Sequence, residues 1–553
     1  MDARAEEFER AVRGPDAPPI DEDAAIAHAA ERTPTPTGSR LDRWWTRTMS
    51  DPRARRAWEW GAPAVVMAVA AATRLIALDH PHEIVFDETY YVKDAYTLWH
   101  LGYESRWPDG ANDSFAAGDP DVYLTDPSFV VHPPLGKWII GAGMAIFGTD
   151  SAFGWRIGIA VLGILLVALT MLVAKRLFGS TTLAVVAGGL IAIDGNAIVL
   201  SRVSILDTGV AFFSLLGAYF VLLDRSWAKR RLAPWLEKRT AAGRPTDWGP
   251  VLWWRPWLLA AAVAFGCAIS VKWSGLYFLA IFGIYTVVSD AFLRKRAGIA
   301  FWGTGAVLRQ GPVSALLLVP LALAVHLTTW LGWFLSDGGY YRHWIEQQGG
   351  TPATGWLAWV PYDLQNWWHY QLAINGYHLG EHSPHPYQAN PLTWLFLVRP
   401  TSMYYRADDQ GTVQAILDIA NPILWWGATA AVVFLLVRVI RGLIRGRAVW
   451  SDAFILAGMA AGYLPWMLYL GRTVFQFYTI AFEPFMVLAL TAAIAAVAGR
   501  ASDPTPRRVA GLATAGAYLG LVVLVSAYFL PMWTGMPIPH WFAYSHYWLR
   551  SWI

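Results

Sequence analysis

The chain has 553 residues, of which 55% are hydrophobic and only 15% charged, and its mean hydropathy is +0.34. That excludes an ordinary water-soluble globule of this size and points to an all-α polytopic membrane protein. The formal charge of +3 says little about partners until the charges are placed, and no nucleic-acid partner is expected.

Taken from the start, residues 1–40 are rich in Asp, Glu, Ala and Pro with few large apolar side chains, which predicts a disordered tail. The following LDRWWTRTMSDPRARRAWEW mixes Trp44, Trp45, Trp58 and Trp60 with arginines, a composition suited to an anionic membrane surface, so residues 1–60 read as a cytoplasmic tail with an interfacial segment. The first apolar run starts some sixty residues in, too late for a cleaved leader. Eleven runs then approach the ~20 residues that cross about 30 Å of hydrocarbon. They lie near 61–79, 153–174, 180–198, 207–223, 257–271, 274–290, 313–335, 418–437, 451–470, 480–498 and 509–530, within one domain over 61–553. The stretch 135–148 is short and Gly-rich and reads as interfacial or re-entrant. The single cysteine, Cys267, falls inside an apolar run and forms no internal disulfide.

With a cytoplasmic N-terminus, the inner loops AKRLFG, DRSWAKRRLAPWLEKR, LRKRAG, RVIRGLIRGR and GRASDPTPRR hold about twenty Lys and Arg, roughly twice the number in the longer opposite loops. Two large loops, 80–152 and 336–417, therefore face outward. Arg74, Asp87, Glu88, Arg156, Arg202, Asp207 and Lys272 all fall near the outer boundary. One such charge reads as a helix-end group reaching for water; seven of both signs at one depth read as the lining of a polar cavity. Arginines beside carboxylates suit a site that holds a phosphate while keeping a base ionised.

FDETYYVKDAY after the first run, HPPLGKWIIG at 132, FGWRIGIAVLGIL at 153, SRVSILDTGVAFF at 201, AISVKWSGLY at 268, HPYQANPLTWLFLVRP at 385 and the terminal WLRSWI together resemble the protein O-mannosyltransferases, in order from about residue 74 onward. The resemblance implies a GT-C class glycosyltransferase fold with eleven spans. It implies inverting transfer of mannose from a polyprenyl-phosphate-mannose donor to Ser or Thr hydroxyls of proteins, in a bacterium at the outer face of the plasma membrane. Asp87 then matches the catalytic base and Glu88 its acidic neighbour, expected to orient acceptor or an arginine. Arg156 and Arg74 match donor-phosphate ligands, with Arg202, Lys272 and Arg399 as further candidates. His385, Tyr387 and Trp394 are expected to contact acceptor. Fixed guanidinium groups would supply the charge stabilisation other transferases take from a metal, so no metal or other cofactor is expected. His378, Glu381 and His382 spell H-x-x-E-H, a zinc-protease signature when helical, but Gly380 interrupts it and Pro384 follows closely. The rival readings are another GT-C transferase, moving a polyprenyl-linked sugar to a glycan or lipid, and, more remotely, a carrier.

Overall fold

The computed structural model describes residues 37–553, so all but the last four residues of the tail expected over 1–40 lie outside the described residues. The chain divides into a small unit, which includes residues 496–517 besides the N-terminal segment, and a large one comprising 56–495 and 518–553. In the small unit the Arg40–Ser50 helix starts at a capping box. Ser39 Oγ accepts from the Asp42 amide at 3.0 Å, and the Asp42 carboxylate accepts from the Ser39 amide at 2.8 Å. Arg508 then grips Asp42 with Nε and Nη2 at 3.0 and 2.6 Å.

Among the described residues six helices are long and apolar enough to cross a membrane: Ala152–Phe178, Asp207–Ala241, Gly275–Arg296, Trp302–Thr329, Pro422–Ile444 and Thr505–Thr534. Thr181–Ala192 and Gly195–Arg202 pass that test together, bent by 59° at Asp194, which would make a seventh. The remaining expected runs are helical too, but Pro256–Val271, Trp450–Tyr463 and Glu483–Ala498 have only 14–16 residues. Pro52–Leu75 begins with the charged PRARRAWEW. Length and composition therefore support six or seven spans, and eleven is not reached. The Gly-rich 135–148 stretch forms the 13-residue helix Leu135–Phe147, too short to cross.

Helix ends inside this apolar body need partners for their last carbonyls, because lipid and packed side chains offer none. Two arginines supply them. Arg74, fully buried, donates from Nη1 to Ala192 O at 3.0 Å and from Nη2 to Ile191 O at 3.1 Å, closing the first half of the bent pair. Arg202 donates to Ile76 O and Ala77 O, each at 2.8 Å, and to Thr73 O at 3.2 Å, closing Pro52–Leu75. The bend restarts at Asp194, whose side chain caps the next helix by accepting from the Asn196 amide at 2.9 Å.

The two large loops, 80–152 and 336–417, are joined to each other. Loop 80–152 holds the Glu88–Leu101 helix, and a buried Lys137–Glu104 ion pair fixes it to Leu135–Phe147. Loop 336–417 holds the Tyr362–Gly380 helix, whose Tyr370 hydroxyl both donates to Val130 O and accepts from Val130 N at 3.0 Å. Around that contact Val130, Trp330, Trp333, Trp367, Tyr370 and Ile374 form an aromatic core. The loop also contains strands, which the helical reading did not anticipate. TSMYYRA (β1, Thr401–Ala407) and TVQAILD (β2, Thr412–Asp418) pair antiparallel, and Ile538–Pro539 (β3) adds to β2. The turn between them follows from DDQG: Asp408 Oδ1 accepts from the Gln410 and Thr412 amides, and Gly411 takes φ +79°.

Candidate functional site

The acidic pair splits at a helix start. Asp87 is the N-cap residue and Glu88 the first helical residue, so their side chains leave the backbone in different directions. Glu88 turns into the core and is fully buried. Its Oε1 accepts from Arg156 Nε and the Ser204 amide, both at 2.9 Å, and its Oε2 from Arg156 Nη2 and the Val85 amide, both at 3.0 Å. Arg156 spends its other donors on the carbonyls of Leu78, Pro81 and Glu83 at 3.2, 2.8 and 2.9 Å. All five guanidinium N–H groups are thereby used.

Arg156 presents no free N–H to a donor phosphate, which departs from its expected role, whereas Glu88 orients an arginine, one of the two roles expected of it; together they clamp the segment that carries Asp87. Arg74 and Arg202 turn their Nη groups to the helix ends described above, each leaving a buried Nε without a partner. Arg399 donates from Nη1 to the backbone oxygens of Ser551 and Ile553, both at 2.6 Å, and so ties down the end of the chain. Trp394 is fully buried and its Nε1 donates to Ala389 O at 3.0 Å, which makes it core and removes it from acceptor contact.

Asp87, half-buried, is left free. Among the described residues its carboxylate accepts no hydrogen bond. Burial pushes its carboxyl up to about 6; the Lys272 ammonium lowers it and the Asp207 carboxylate raises it. The preceding residue, Phe86, is held at φ +46°, a conformation a bulky side chain adopts only under constraint. The constraint is visible: its ring meets His385, Phe475 and Phe477 edge-on at 6.1, 6.1 and 5.9 Å. His385 thus stands in the wall beside Asp87, while Tyr387 lines a second cavity.

Lys272 lines a cavity of about 230 Å³ beside this point. Its Nζ donates to Asp207 Oδ2 at 2.7 Å and lies 5.0 Å from the centre of the Tyr478 ring. The same cavity is walled by Leu276, Phe278 and Trp466, and its polar side holds His132, His378 and Arg472. His378 Nε2–H donates to Val131 O at 2.9 Å, so Nδ1 is the acceptor for Arg472 Nη2, also at 2.9 Å. Burial and the neighbouring Arg472 charge push His378 down to about 4, and burial takes His132, stacked on it at 5.4 Å, well below the ordinary imidazole range. Both are neutral rings.

Arg472 is the guanidinium the sequence reading missed. Among the described residues no carboxylate lies within 4 Å of it, and its Nε has no hydrogen-bond partner. The signal was there: GRTVFQFY, an arginine shortly before three aromatic residues, between two apolar runs. The H-x-x-E-H motif finds its explanation here too. His378 has both nitrogens committed, Glu381 Oε1 accepts from the Ser383 amide at 2.8 Å, and His382 Nδ1 bonds with Gly471 O at 2.9 Å. The three side chains serve three different places.

A family model described as dolichyl-phosphate-mannose-protein mannosyltransferase matches residues 64–329, and one described as the C-terminal four TMM region of protein-O-mannosyltransferase matches 363–552. The polyprenol-phosphate-mannose–protein mannosyltransferase of Mycolicibacterium smegmatis is 31% identical over 515 residues, covering 90% of this chain and 93% of that protein. The protein of the same description from Corynebacterium glutamicum is 31% identical over 507 residues, covering 90% and 93%. Among solved structures, the S. cerevisiae protein O-mannosyltransferase Pmt1-Pmt2 complex bound to the sugar donor shares the fold, with a TM-score of 0.67 over 94% of this chain and 95% of that one at 15% identity. With two family models matching in chain order and relatives covered over nearly their whole length, this membrane-spanning chain belongs to the protein O-mannosyltransferase family.

Proposed function

We propose that the chain transfers mannose, with inversion, from a polyprenyl-phosphate-mannose donor to Ser or Thr hydroxyls of proteins at the extracytoplasmic face of the cell membrane. The observation that carries this reading is the free Asp87 carboxylate beside a cavity whose cations, Lys272 and Arg472, face an apolar wall. The donor has the matching parts: a sugar, a phosphate and a hydrocarbon chain.

In the reaction the acceptor oxygen forms a bond to the anomeric carbon as the bond from that carbon to the phosphate oxygen breaks. The acceptor proton passes to Asp87, and polyprenyl phosphate leaves with the electron pair. A base near the working pH is the most effective kind, and a positioned one contributes about 10² to 10⁴ in rate. The charge growing on the phosphate is met by the Arg472 guanidinium, which His378 holds in direction, and by the Lys272 ammonium, which Asp207 holds in place. Because those two cations already face the leaving group, transfer is expected to persist in excess EDTA.

The test is to incubate purified enzyme with radiolabelled polyprenyl-phosphate-mannose and a Ser/Thr-rich peptide. Label in the peptide supports the reading. Label only in a lipid or glycan would identify a transferase of the same class with a different acceptor.

A further inference from the structure

A second cavity, of about 340 Å³, opens between one face of the small sheet and the His540–Ser545 helix. Its walls include Tyr387, Tyr405, Tyr544, Tyr547 and His540, with no Asp, Glu, Lys or Arg. Tyr405 reaches it through an irregularity in β1. Ser402 pairs with Leu417, but the register shifts before Tyr404, so Tyr405 joins Ser402 and Leu417 on the cavity side. Such bulges re-aim a side chain at the expense of regular pairing. Arg399, 5.4 Å from the Tyr387 ring centre, holds the terminal segment that closes the cavity. Tyr405 and Tyr544 are more than half exposed, and among the described residues none of the four tyrosine hydroxyls makes a hydrogen bond within the protein.

Aromatic faces with free hydroxyl donors and no charge suit an occupant that is uncharged, flat-sided and rich in acceptors. A phosphate would find no cation among the lining side chains, and an isoprenoid chain would leave the hydroxyls unpaired. An extended, proline-containing polypeptide fits both counts: its rings stack on aromatic faces, and its carbonyls, without partners in that conformation, accept from hydroxyls. A chain of ring contacts leads from the cavity wall to the reacting point. Tyr387 lies 5.8 Å from His385, His385 lies 6.1 Å from Phe86, and Phe86 precedes Asp87. Arg406 of β1 pairs with Glu83 at 3.1 Å, tying the sheet to the same segment.

We propose that this tyrosine-lined cavity is a subsite for the acceptor polypeptide, binding an uncharged, proline-containing stretch about four residues from the hydroxyl being modified, at ~3.1–3.3 Å per extended residue. The inference rests on the transferase reading above and adds where acceptor selectivity is read.

The experiment compares a twelve-residue Thr peptide flanked by Ala and Pro with a capped Ala-Thr-Ala tripeptide, using full-length wild-type enzyme and the Tyr405→Ala, Tyr547→Ala and Tyr547→Phe variants. Wild type is expected to show a lower KM for the long peptide. Tyr405→Ala and Tyr547→Ala are expected to raise that KM about tenfold with kcat little changed, as the loss of a ring contact and a hydroxyl bond implies, and to leave the tripeptide unaffected. Tyr547→Phe, which keeps the ring, is expected to lie between. A long peptide carrying benzophenone four residues from Thr is expected to label the 540–553 segment or β1 without donor present. Equal effects of the variants on both peptides, or none, would overturn the subsite. So would competition by a mannosylated peptide but not the unmodified one, which would mark a carbohydrate site. Wild-type enzyme that labels no peptide at all, and shows no crosslink, would instead remove the transferase reading and the subsite with it.

Discussion

Removing Arg156 tests whether it binds donor or holds the fold. The side chain is buried and makes five hydrogen bonds, two of them to the Glu88 carboxylate. In Arg156→Ala that carboxylate stays buried with only the Val85 and Ser204 amides, and three carbonyls lose their donor. Breaking a buried pair in this way costs about 3–5 kcal/mol, a large part of the 5–15 kcal/mol that typically separates folded from unfolded. Arg156→Lys is expected to rescue little, because an ammonium offers three donors and no planar fork. Replacing both charges, as in Glu88→Leu with Arg156→Met, is expected to cost less than the two single changes summed, since no lone charge is left behind. The single cysteine reports this directly. Cys267 sits partly buried in the Pro256–Val271 helix, so a thiol-reactive fluorophore follows its release on heating. An Arg156→Ala enzyme with the wild-type melting midpoint but a raised KM for donor would refute the reasoning and return Arg156 to the phosphate site.

Asp87→Asn is expected to retain donor binding while peptide mannosylation falls by at least ~10²-fold, measured by donor titration and label transfer. With the Asp87 carboxyl at about 6, transfer is expected to rise with pH through that value and level off above it, and Lys272→Met to move the rise to higher pH, because the ammonium lowers the carboxyl. The linked stability runs the other way: the folded state holds the Asp87 proton more tightly than the unfolded one, so this contribution is full below the ordinary carboxylate range and lost as pH passes about 6. Asp87→Asn is therefore expected to melt above wild type at pH 8, the gap closing towards pH 4. Arg472→Ala is expected to weaken donor binding at least tenfold with the melting midpoint little changed, and Arg472→Lys to recover part of it; donor binding unaltered in both would remove Arg472 from the phosphate.

The apolar runs were legible because a hydrocarbon solvent imposes length and composition on whatever crosses it, and each expected run is indeed helical. What was not legible was which runs are long enough alone, since Asp194 and the short helices are shaped by neighbours. For the charges, sequence shows that Arg74, Arg156 and Arg202 lie at one depth but not what they touch. All three end on carbonyls or on Glu88, partners set by the three-dimensional packing of distant segments. Asp87 could be singled out as a candidate because its motif is local. Arg472 could not, because its role depends on His378, 94 residues away. The strands were hidden in a region read as loop, although YYRADDQGTVQ carries alternating side chains around a turn.

The clamp on Glu88 also bears on when activity begins during synthesis. Its partners come from three places along the chain: the stretch just before it, Arg156 in the Ala152–Phe178 helix and the Ser204 amide after the bend. Lys272 and Arg472 arrive later still as the ribosome proceeds. A nascent chain that has inserted only its first helices therefore has Asp87 on an unanchored loop with no cations to meet a leaving phosphate. Release fragments ending before residue 472 are expected to be silent, so that a half-made enzyme leaves the donor pool, and its own emerging loops, untouched.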